Sequence, residues 1–177
     1  MSLAGRGVVK MPDNEDLYSP EQVRDQVQTW LMGEGWSLSE KAHEGASWLV
    51  QAEDPAQRRL LVGQTKSPAD QVRIQATVVV AADHREHFEA LPSEVKDAIL
   101  WELRFRLLNM SVDFSGIGEP LERVTVAQRI YLDGLTKDRF LQRVAVVKNA
   151  LIAVIWSIGR RLSHLPAPSS HGDVLIH

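Results

Sequence analysis

The sharpest chemical signal in the chain is a pair of histidines three residues apart, in Asp83-His84-Arg85-Glu86-His87. On a helix that spacing turns both imidazoles to one side, where with further ligands they can reach one metal ion. A solvated first turn accounts for the same residues. Asp83 then caps the helix, Glu86 completes the capping box, and His84 and His87 lie in water. No second ligand cluster is spelled out elsewhere, and His43-Glu44 joins only if the fold brings it there. The expectation is therefore no metal and no cofactor.

Nucleophilic chemistry has less support. The chain contains no cysteine, which removes thiolate nucleophiles, disulfides and cysteine metal sites together. Ser115-Gly116 lacks the glycine two residues before the serine that a nucleophile elbow needs. Gly116-Ile117-Gly118 leads into a strand, not a helix, so it reads as a turn and not as a phosphate cradle. Glu15-Asp16 and Glu53-Asp54 fall in loops or at strand ends, where water keeps carboxylates from the separated pKa values that acid–base catalysis requires. No residue set able to run an enzyme reaction emerges, and no catalytic residue is nominated.

Binding chemistry remains. The net charge is −3, unevenly spread: residues 1–60 hold 6 basic and 10 acidic side chains, residues 123–161 hold 8 basic and 2 acidic. The C-terminal part can attract an acidic partner. Arg139 and Arg143 fall on one helix face, and Arg129 and Tyr131 share a strand face. Arginines beside an aromatic can hold a phosphate chain and stack a base, so nucleic acid is one alternative partner. Arg160 and Arg161 have a plainer use in complementing a helix C-terminus.

The elements that must position these residues follow from periodicity. Residues 1–18 carry Gly, Pro, Asp and Asn without a period and read as a flexible arm. Ser19-Pro20-Glu21-Gln22 opens a helix with a capping box, Val23, Val27, Trp30 and Leu31 share its inner face, and Gly33 and Gly35 end it. Strands are expected at 36–43, 46–53, 58–65 and 71–81. In the last, Val72, Ile74, Ala76, Val78 and Val80 alternate with Arg73, Gln75 and Thr77. Asp83 caps a short helix, Leu91-Pro92-Ser93 breaks and restarts it, and the second part runs to Asn109. Val95, Ile99, Leu103 and Leu107 form its core stripe, widened by Trp101, Phe105 and Leu108. Strands at 110–115 and 123–132 follow. Thr136 caps a last helix reaching Leu162, with Phe140, Val144, Val147, Leu151, Val154, Ile155 and Ile158 inward. Residues 163–177 read as a flexible tail. The order helix–four strands–helix–two strands–helix predicts one α+β domain over 19–162, an antiparallel sheet with flanking helices.

Two stretches carry a resemblance. Tyr18-Ser19-Pro20-Glu21 with Gly35-Trp36, and Leu135-Thr136-Lys137-Asp138-Arg139-Phe140 with Val147-Lys148-Asn149-Ala150, together with the element order, resemble YbjN-type proteins, whose fold is that of type III secretion chaperones. The resemblance implies a homodimer that binds a partner polypeptide and has no enzyme activity; it carries over no catalytic residue.

A single sheet covered on one side offers its other face to a second subunit or a partner. Strand alternation nominates Leu49, Leu61, Val79 and Tyr131 there, with Arg129, Arg139 and Arg143 as charged contacts. The N-terminus has no apolar signal core, and the apolar run 144–158 contains Lys148 and Asn149 and is short for a membrane span. A cytoplasmic, chaperone- or adaptor-like homodimer without membrane contact is the expectation. The alternatives are a nucleic-acid-associated accessory protein, and a hydrolase or metal-dependent enzyme whose site is not visible in the sequence.

Overall fold

The computed structural model describes residues 19–163. The expected arm at 1–18, and all but the first residue of the expected tail, lie outside them. The described residues form one antiparallel six-stranded sheet in the order β1-β2-β3-β4-β6-β5. It is built from β1 (Ser37–Glu40), β2 (Ala46–Glu53), β3 (Arg59–Thr65), β4 (Gln71–Val79), β5 (Asp113–Ser115) and β6 (Arg123–Tyr131). Helices α1 (Pro20–Gly33), α2 (Ala82–Glu89), α3 (Ser93–Asn109) and α4 (Lys137–Ser163) flank it. The fold is α+β, as the order of periodic segments predicts.

Local chemistry sets the element ends. Ser19 Oγ accepts from Gln22 N–H at 3.3 Å while Gln22 Oε1 accepts from Ser19 N–H at 3.3 Å, a complete capping box with Pro20 in the first helical position. The helix stops where Gly35 takes φ +80°, a conformation that costs glycine nothing. Thr136 Oγ1 caps α4 by accepting from Arg139 N–H at 3.3 Å. At the β2–β3 turn, Asp54 Oδ1 accepts from Ala56 N–H at 2.9 Å and Arg58 N–H at 3.0 Å, so one carboxylate organises the whole loop.

The core lies between one sheet face and the helices. Val50, Ala52, Val62, Val72, Ile74, Val124 and Val126 alternate onto that face and are buried. Val23, Val27 and Leu31 of α1, and Phe140, Val147, Ala150 and Val154 of α4, close over them. By length and composition α4 could cross a membrane, with mean hydropathy 1.5; its most apolar stripe is the one packed on β4 and β6.

Several expectations are corrected. Asp83 caps nothing: the helix begins at Ala82, its N-cap is Ala81, and no side chain caps it, so Asp83 sits inside the first turn and complements the dipole instead. The strand expected at 110–115 is reduced to Asp113–Ser115, because Met110 caps α3 and Ser111 has φ 55°. The largest correction concerns α3. Ile99, Leu100, Leu103 and Leu107 are buried, but Trp101, Phe105 and Leu108 are 51%, 59% and 57% exposed. They form a second stripe on the opposite side. Val95 and Ile155, expected inward, are 37% and 45% exposed.

Candidate functional site

The face of the sheet turned away from the helices is more polar than expected. Its rows run Leu49 to Gly63 to Arg73 to Arg129, and Gln51 to Leu61 to Gln75 to Ala127. Thr77 and Thr125 meet there with oxygens 3.0 Å apart. Leu49 and Leu61 are half-buried and line a shallow depression of about 180 Å³ with Gly63, Arg73 and Gln75. Val79 is exposed beside Arg123, at the far end of β4. The four apolar residues nominated from strand alternation therefore do not form one patch.

Exposed apolar residues stand on the helical layer instead. Trp101, Phe105 and Leu108 follow at i, i+4 and i+7 along the outer side of α3. The Trp101 and Phe105 rings lie 5.6 Å apart, and the Arg104 guanidinium sits 4.9 Å above Trp101. On α4, Ile155 and Trp156 are exposed, Trp156 at 71%. A cleft of about 610 Å³ links the helices, lined by Glu102 and Arg106 of α3 and by Trp156, Arg160 and Arg161 of α4. Arg161 Nε donates to Glu102 at 3.0 Å and Arg106 pairs with the same carboxylate at 3.2 Å. Arg161 thus ties two helices together, beyond complementing a helix end. Periodicity had found Trp101, Phe105, Leu108 and Ile155 but assigned them to the core, and it had not singled out Trp156.

The basic residues nominated from the sequence do come together. Arg129 and Tyr131 of β6 and Arg139 and Arg143 of α4 line one groove of about 500 Å³ with Gln142 and Asp133. Arg143 Nη1 donates to the buried Gln128 Oε1 at 2.8 Å, which holds its guanidinium in place. Gln128 in turn donates to the Ser111 carbonyl. Arg129 pairs with Asp113 at 2.9 Å, while Arg139 has no ion-pair partner among the described residues. An ion pair as exposed as Arg129–Asp113 contributes little stability.

Among the described residues no group of three His, Cys, Asp or Glu side chains stands close enough to hold a metal ion. His87 Nε2 is buried without a hydrogen-bond partner, and His84 lies on the same short helix. The carboxyl whose pKa moves is Asp54. Burial raises it, but the Arg58 guanidinium at 2.7 Å and the Arg58 and Ala56 N–H groups outweigh burial and hold it below the ordinary carboxylate range. It belongs to a turn, not a cleft.

The chain belongs to the family DUF2299, described as an uncharacterized conserved protein, whose profile matches residues 23–158. It is similar to the crystal structure of an uncharacterized protein from Methanothermobacter thermautotrophicus, with 27% identity and a TM-score of 0.73 over 78% of this chain and 98% of that one. No curated protein matches it.

Proposed function

We propose that this DUF2299 member is a non-enzymatic, chaperone- or adaptor-like binding module of the cytoplasm that acts as a homodimer and holds a partner polypeptide. One observation carries the proposal: two tryptophans, a phenylalanine and two aliphatic residues stand 45–71% exposed on the outer side of α3 and α4. Apolar surface of that kind, rimmed by charge, is what protein interfaces use, and aromatic residues and arginine are enriched in them. A second copy of the chain fits best. A two-fold interface places the same patch on both sides and must be complementary to itself. The rim provides this, because Glu102 lies beside Arg106, Arg160 and Arg161 and each copy offers the other both signs of charge. The YbjN-type resemblance supports the same reading through its element order and its homodimer.

The absence of native cysteine makes the test clean. Leu108→Cys and Ile155→Cys each place a single thiol in the patch, and Thr77→Cys places one on the open sheet face. On mild oxidation, a covalent dimer is expected from at least one patch variant and none from Thr77→Cys. Cross-linking through Thr77→Cys alone contradicts the proposed surface. The nucleic-acid reading draws on the groove of Arg129, Tyr131, Arg139 and Arg143.

A further inference from the structure

The dimer surface leaves the arginine groove, at the other end of α4, without a role. Backbone geometry says what the groove can hold. Gln71 stands opposite Tyr131 and Arg73 opposite Arg129, and Leu132 N–H donates to the Asp70 carbonyl at 2.9 Å. That bond sets the phase of the antiparallel ladder. Even-numbered residues of β6 turn their N–H and C=O toward β4, while Arg129 and Tyr131 turn theirs away from it. On the outer side, β5 pairs only with Thr125, Val126 and Ala127. Ser111, at φ 55°, swings the chain out of line before β5 begins. Among the described residues no strand continues along Arg129 and Tyr131. Two N–H and two C=O groups therefore face the groove, between arginine side chains on both sides of the sheet.

We infer that this groove takes an extended, acidic polypeptide segment as an added strand on β6. An added strand directs alternate side chains to opposite faces. One set meets Arg129 and Tyr131, and the other meets Arg139 and Arg143 on α4. Three arginines against Asp113 and Asp133 leave the groove net positive, and Arg73 stands directly across from Arg129. Main-chain bonds give affinity in such additions and side-chain pairing gives selectivity. The open edge favours a polypeptide over a nucleic acid, which has no ladder to extend. This inference rests on the proposed polypeptide-binding role and supplies its second surface.

The test uses the full chain and a fluorescein-labelled octapeptide alternating glutamate with valine, read by anisotropy. Its lysine counterpart and a labelled oligothymidine of the same length serve as comparisons. Saturable binding of the acidic peptide is expected, falling with added salt. Arg139→Glu weakens it about tenfold or more through charge reversal at the groove. Tyr131→Pro does the same by deleting an outward N–H; Tyr131 already has φ −76°, within proline's range. Should Tyr131→Pro fail to fold, Arg139→Glu on the exposed helix surface decides alone. Peptide affinity unchanged by Arg139→Glu overturns the inference, as does oligothymidine binding that Arg139→Glu abolishes while the peptide does not bind. Light scattering on the same samples separates the two surfaces. A dimer indifferent to the peptide removes only the groove, and a monomer that binds it removes only the dimer.

Discussion

Single residues hold this fold in ways that a titration can reveal. Asp54 is nearly buried, accepts from two backbone N–H groups and pairs with Arg58 at 2.7 Å. Because its folded pKa is depressed, its contribution to stability is full above the unfolded carboxyl value of about 3.9 and disappears as pH falls through the folded value. Asp54→Asn should therefore cost about 1.5–3 kcal/mol at neutral pH, the size of hydrogen bonds to a charged group. The gap from wild type should close in acid; urea melts at neutral pH and near pH 3 check this. Two buried glutamines act similarly without charge. Gln64 accepts from Trp48 Nε1 at 2.9 Å, and Gln128 receives Arg143. Polar residues in strand interiors look like surface in a sequence, and their burial depends on partners far along the chain. These locks were not legible beforehand.

At the scale of elements, most strands and the starts of α1 and α4 were legible, while the start of α2 and the orientation of α3 were not. Period-two alternation in β4 has one solution, because a shift by one residue would expose Val72 and Ile74 and bury Arg73. The capping box of α1 is equally local. In α3, by contrast, Ile99, Leu103 and Leu107 and the set Trp101, Phe105 and Leu108 are both helical stripes, so spacing cannot say which faces the core. Packing on the sheet selected the aliphatic set and left the aromatic one outside. α3 is apolar on both sides, and its own chain covers one of them. Phe105→Glu should accordingly leave the thermal stability of the isolated monomer within about 0.5 kcal/mol, since it removes no core contact. A core change behaves otherwise: Phe140→Ala, at 0% exposure, should cost about 3–5 kcal/mol. Thermal melts followed by circular dichroism separate the two. Gly63 adds a backbone constraint. A Cβ there would meet the Trp48 carbonyl oxygen at 2.7 Å, beside the irregular register between Ala46 and Trp48. Gly63→Ala should destabilise the sheet by about 1–3 kcal/mol, the usual cost of overpacking.

For the whole molecule, the helices both build the core and carry the exposed aromatic surface, while the open sheet face is mainly polar. The proposed contact surface lies on α3 and α4, with the basic groove at the opposite end of α4. The residues of that groove were legible singly, as Arg129, Tyr131, Arg139 and Arg143. Their meeting depends on β6 delivering the chain to the start of α4, which only the fold decides. The most direct measurement is solution mass by multi-angle light scattering at micromolar concentration, on wild type, on Phe105→Glu with Trp156→Glu, and on Val79→Glu as a control from the sheet face. Wild type and Val79→Glu should give twice the chain mass of 19.8 kDa, and the double variant a folded monomer. A monomeric wild type, or a double variant that stays dimeric, contradicts the helical-layer interface.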